Sequence, residues 1–112
     1  MIESRLIHCN PERVRLKIVG HAGAAPAGED LICAGVSALW LCLVATAKEH
    51  GWVGEIRESE GYAEMEIKVN RRNRAEVFQC LGVITAGLKV FAKLEPEFVQ
   101  FVEDRGEPVK TG

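Results

Sequence analysis

The sequence predicts an α+β fold: a single domain in which a small, mainly antiparallel sheet carries two long helices on one face. Two early segments are strand formers, and the second of them, like one arm of a later hairpin, alternates apolar with charged residues at a period of two. Two long stretches, from about residue 30 to 50 and from 74 to 94, are apolar at helical spacing. No repeat, low-complexity tract or Pro/Gly-rich linker divides the 112 residues, so residues 1–112 read as one domain built on one core.

Residues 4–9 and 13–19 are strand formers. In the second stretch Val14, Leu16 and Ile18 alternate with Arg13, Arg15 and Lys17, and Asn10-Pro11-Glu12 is the turn between the two. After Gly20-His21, residues 22–28 are all Gly, Ala or Pro; their side chains bury little, and the run is expected to be a mobile loop with Gly23 and Gly28 as its looser points. Residues 30–50 form a helix stopped at Gly51. The uncharged run 31–47 is short for a membrane span and is broken by Gly35, Ser37 and Thr46, so a buried central helix is expected there.

Residues 56–59 and 62–69 flank Glu60-Gly61 as a hairpin. Ala63, Met65, Ile67 and Val69 alternate with Glu64, Glu66 and Lys68, which leaves one face wet. Val77, Leu81, Ile84, Leu88 and Phe91 line one side of a second helix that Pro96 stops. Residues 98–103 are a last short strand, and 105–112 a polar tail.

With 47% hydrophobic and 27% charged residues and a formal net charge of -2, the chain has ordinary globular proportions and no bulk charge for a phosphate backbone. The four cysteines are far apart and no export pattern opens the chain, which points to a cytoplasmic protein with reduced thiols.

His21 ends a strand and Cys33 begins a helix, with the Gly/Ala loop between them. A cysteine in a first helical turn faces unpaired N–H groups, which favour thiolate, and a nearby imidazole acts the same way. The N–H groups of Cys33 and Ala34 would then hold an oxyanion. The alternative is a small buried thiol beside an unrelated loop histidine.

The surrounding residues are more specific. Gly20-His21-Ala22, followed by Gly28-Glu29-Asp30-Leu31-Ile32-Cys33-Ala34-Gly35-Val36-Ser37, resembles the signature of the ribosomal-processing cysteine proteases, in which G-H-A and G-x-D, two apolar residues and C-A-x-V-S occur together. The order of elements is similar over nearly the whole chain. The resemblance implies a cysteine endopeptidase that trims the N-terminal extension of a large-subunit ribosomal protein during ribosome maturation, as a homodimer. It implies His21 as general base and Cys33 as nucleophile, with Asp30 and Ser37 as accompanying polar residues. No cofactor, metal or membrane is expected, and nucleic acid only by way of the ribosome.

Asp30 has two readings, an N-cap whose carboxylate accepts first-turn N–H bonds or the group that orients His21. Ser37, one turn after Cys33, either donates to the sulfur or imidazole or bonds back to the Cys33 carbonyl. His8 and Cys9 are adjacent in a strand and point to opposite faces, which makes them structural. Cys42 and Cys80 are expected in the core, and Trp40 and Trp52 in packing or along a substrate groove. His50 suits a helix C-terminus. Arg71, Arg72 and Arg74 form a basic turn, either solvated or in touch with an acidic partner or ribosomal RNA. The alternative to a protease is a non-catalytic ribosome-assembly or peptide-binding module using a sheet edge or an apolar groove. A zinc site from His21 and Cys33 alone falls short of the usual four ligands.

Overall fold

The strands expected at both ends of the chain meet in one sheet. The computed structural model describes residues 1–20 and 26–105, the stretch 26–30 by its backbone alone. The elements are β1 (Ile2–Asn10), β2 (Arg13–Gly20), α1 (Pro26–His50), β3 (Val53–Ser59), β4 (Tyr62–Lys68), α2 (Arg74–Leu94) and β5 (Val99–Asp104). The strand order is β3-β4-β2-β1-β5. Neighbours pair antiparallel except β1 and β5, which run parallel. This is a single small α+β domain with two helices on a mixed, mainly antiparallel sheet, as the sequence predicts.

The period of two decides which face is covered. Leu6 opposes Leu16 and Leu16 opposes Met65, so these side chains rise on one face together with Ile2, Val14, Ile18 and Ile67. Trp40, Leu43 and Ala47 of α1 and Val77, Leu81 and Leu88 of α2 close over them. Each such aliphatic side chain contributes about 1.5–3 kcal/mol on burial. By length and composition both helices are apolar enough to cross a membrane, but in this fold one side of each is core. The expectation of a buried central helix holds for that side only. Leu31 and Leu41 are exposed on the other side, as is Cys42, which the sequence reading placed in the core. A helix that is apolar all round gives no sign of which side the sheet will take.

The two helices pack closely. A Cβ on Gly35 would collide with the Phe91 ring, and one on Gly87 would come within 2.9 Å of the Leu39 methyls. The sheet also extends beyond the predicted limits. Ile2 opposes both Gly20 and Val99, and its N–H donates to the Phe98 carbonyl at 2.7 Å, so the edge near the N-terminus is held from two sides. β3 begins at Val53 with a bulge between Val53 and Glu55. Gly54 conceals that start from a propensity reading.

The outer face of the sheet is charged but not fully wet. Glu66 is only 9% exposed; Arg13 donates to it, and Arg15 donates to its other oxygen at 3.0 Å. The Arg15 hydrogen bond is the main cause that holds the Glu66 carboxyl below the ordinary carboxylate range, against the opposing effect of burial. A depressed folded-state value contributes stability above the unfolded value, near ~4.3, and that stability is lost as pH falls through the folded value. Glu66→Gln is therefore expected to lower stability at pH 7 and to flatten its decline below about pH 4.3. Urea midpoints measured from pH 7 downward check this, and an unchanged acid limb would contradict it.

Candidate active site

The site follows from the helical period of α1. Cys33, Val36, Ser37 and Trp40 stand at i, i+3, i+4 and i+7, so they share one side of the helix. That side meets the ends of β1 and β2 and the β3–β4 hairpin. Between them lies a cleft of about 200 Å³. Its apolar lining comes from Ile2, Ile18, Val36 and Ala63, and the hairpin closes it with Ser59, Gly61 and Tyr62. Cys33 and Ser37 both line it. So does Gly20, the residue bonded to His21.

Gly20 is where the chain must turn. Its φ is +102°, and a Cβ there would strike the Met1 carbonyl oxygen. Its N–H donates to the Gly61 carbonyl at 2.8 Å, which ties the end of β2 to the hairpin across the cleft mouth. Any side chain at position 20 would break both the turn and this closure.

Cys33 is half-buried with its thiol free, while Ser37 is exposed. Among the described residues Thr46 and Thr85 donate back to the carbonyls of Cys42 and Leu81 at 2.8 Å, but Ser37 makes no such bond. Its hydroxyl is left to the cleft. Of the sequence-predicted site residues, the structure therefore brings Cys33 and Ser37 together. His21, Gly23 and the side chain of Asp30 lie outside the described residues.

Two expectations about the loop and the helix start are corrected. α1 begins at Pro26 rather than near Asp30, which puts Gly28 in helical backbone. Proline suits the first helical position because it has no N–H to leave unpaired and its φ is already helical. Cys33 is consequently the eighth residue of α1, two turns inside the helix. The N–H groups of Cys33 and Ala34 fall within the i to i−4 ladder, so they are not the open donors that the sequence reading assigned to an oxyanion.

One residue pair was missed. The Trp40 indole N–H donates to Glu58 Oε1 at 2.9 Å, so a core residue of α1 is fastened to β3 across the cleft wall. Trp40 is 6% exposed and its ring forms part of the lining. The tryptophan was legible as packing or groove, but no local pattern pairs it with a glutamate in another element. Among the described residues no group of three or more His, Cys, Asp or Glu is arranged to hold a metal.

The arrangement offers a half-buried thiol at the edge of an apolar cleft, with polar positions at one end and a hairpin along the side. It suits an extended peptide with an apolar side chain. A protein-family model described as "Cysteine protease Prp" matches residues 1–100. Among solved structures, SMU.848 from Streptococcus mutans is similar at 26% identity and a TM-score of 0.69, over 95% of this chain and 96% of that one. The ribosomal processing protease Prp of S. aureus with a covalently linked product peptide is similar at 20% identity and a TM-score of 0.75, over 93% and 100%. The same protease with a substrate peptide gives 19%, 0.70, 93% and 100%. The likeness to the two S. aureus structures bears on the fold. No curated relative matches the sequence.

Trp40→Phe leaves a smaller aromatic ring in the cleft wall and removes the indole N–H bond to Glu58. A single such bond is worth about 1 kcal/mol, or roughly fivefold in an equilibrium constant. The expected outcome is a rise of about fivefold in KM for an apolar peptide with little change in kcat. Steady-state kinetics check it, and an unchanged KM would mean that the bond does not shape the cleft.

Proposed function

The chain belongs to the cysteine protease Prp family, and on that premise we propose that it trims the N-terminal extension of a large-subunit ribosomal protein, with Cys33 as nucleophile and His21 as base. The observation that carries this reading is that Cys33 opens on an apolar cleft whose wall includes Gly20, the covalent neighbour of His21. The other described cysteines do not line that cleft.

In this reaction His21 takes the proton from Cys33 Sγ, and the thiolate adds to the scissile carbonyl carbon. The C–N bond breaks as the imidazolium returns the proton to the leaving amine, which leaves a thioester on Cys33. His21 then takes a proton from water, and hydroxide addition followed by loss of the thiolate releases the acid. Ser37, one helical turn from Cys33 with its hydroxyl on the cleft, is the described donor nearest in sequence to the thiol and serves the charged intermediates. Asp30 orients His21 in this reading. The extension lies along the hairpin with an apolar side chain against Val36, Trp40 and Ala63, and Gly23 belongs to the substrate loop of this reading.

The same reading includes a homodimer and a cytoplasmic location. Exposed Leu31 and Leu41 on α1 and Val83, Val90 and Leu94 on α2 leave apolar surface for a second copy. The free cysteines suit a reducing compartment.

A peptide spanning the extension, incubated with the wild type, is expected to be cut at one bond. Cys33→Ala is expected to lower the rate by at least about 10³-fold while keeping the fold. Mass spectrometry of the products, with circular dichroism of the variant, makes the test. Undiminished cleavage by Cys33→Ala would end the assignment of the nucleophile, and tight binding without cleavage by either protein would favour a peptide-binding module.

A further inference from the structure

The formal charge of -2 conceals a separation of charge along the strands. At the cleft end the β3–β4 hairpin carries Glu58, Glu60 and Glu64. At the other end the β1–β2 turn, the end of α1 and the β4–α2 turn come together. Two adjoining clefts of about 510 and 440 Å³ lie there, sharing Lys68 and Asn70. The first is lined by Arg13, Arg71 and Arg74, and the second by Arg72 and His50. Glu12 and Glu76 are the acids that line them.

The cations differ in how they are held. Arg13 is paired with Glu66, and Arg74 donates to the Pro11 carbonyl while lying over the Phe78 ring. Among the described residues Lys68, Arg71 and Arg72 have no acid within ion-pair distance. The turn that presents them is rigid. Asn70 Oδ1 accepts from the N–H groups of Arg72 and Asn73 at 2.8 and 2.9 Å, and Asn73 accepts from the Asn70 N–H at 2.7 Å and donates to the Lys68 carbonyl at 3.0 Å. Asn73 is thereby drawn away from capping α2, and it makes no side-chain cap bond there. His50, exposed and stacked on Trp52 at 4.6 Å, adds an aromatic platform to the second cleft.

We propose that this end of the molecule binds the phosphate backbone of structured RNA. Repeated phosphates match arginines set in a fixed turn, whose planar forks bind two oxygens at once, and an exposed ring accepts a base. A lipid surface fits less well, because residues 70–74 carry no apolar side chain to insert and Trp52 is buried. Along β2 the patch is about 23 Å from the cleft, seven steps of roughly 3.3 Å, so RNA and peptide are held at once. This last point rests on the proposed function: the enzyme would grip ribosomal RNA while it trims a neighbouring protein.

The test is fluorescence anisotropy with a labelled ribosomal RNA hairpin, from low to physiological salt. Wild type is expected to bind in the micromolar range with a salt-dependent affinity. The Arg71→Ala/Arg72→Ala double variant is expected to lose at least about tenfold in affinity and to reduce the salt slope by about two. Arg71→Lys/Arg72→Lys, which keeps the charge but not the forks, should fall between wild type and the alanine variant, and Arg5→Ala, on another part of the sheet, should bind as wild type. The alanine variant should cut free peptide at the wild-type rate, which separates this proposal from the protease assignment. Wild-type affinity in the alanine variant would overturn the proposal. So would binding to phosphatidylserine-containing vesicles without binding to RNA.

Discussion

The close approach of α1 and α2 is the constraint from which the site follows. Gly35 lies against the Phe91 ring and Gly87 receives the Leu39 methyls, so the two helices settle side by side over five strands. With α1 fixed at that depth, its inner side sends Val36, Trp40 and Leu43 into the core. The same period leaves Cys33 at the margin, half-buried and facing the ends of β1 and β2. A larger residue at position 35 would lift the helix, and with it the thiol, away from the Gly20–Gly61 closure. The position of this thiol and the packing of the helices are thus one requirement.

Charge is arranged on the opposite face and at the ends. Glu66, nearly buried between Arg13 and Arg15, ties β4 to β2 on the side no helix covers. The hairpin beside the cleft is acidic, while the turns at the far end carry Lys68, Arg71 and Arg72, which have no ion-pair partner among the described residues. One small sheet therefore presents two different surfaces about 23 Å apart by strand rise, a distance short enough for both to meet one large assembly.

β2 and β4 were legible because they alternate cleanly, as Val14, Leu16 and Ile18 do against Arg13, Arg15 and Lys17. Strand order was not, because the parallel pairing of β5 with β1 joins the two ends of the chain and leaves no local trace. The start of α1 was missed because residues 22–28 have side chains too small to show a period, while Pro26 marks the helix only once its role as first residue is known. Cys33 and Ser37, one helical turn apart in the signature words, line one cleft. The bond from Trp40 to Glu58 joins residues 18 apart in two different elements, beyond the reach of any local motif.

The central claim is that Cys33, and no other cysteine, is the thiol that meets substrate. A peptide of the extension sequence ending in a thiol-reactive group, added in equal amount to the protein, would mark that thiol, and peptide mapping would locate it among the four cysteines. The account predicts one adduct, on Cys33, suppressed by excess unmodified peptide. Labelling confined to the exposed Cys9 or Cys42, or labelling of Cys33 that excess peptide does not suppress, would contradict it.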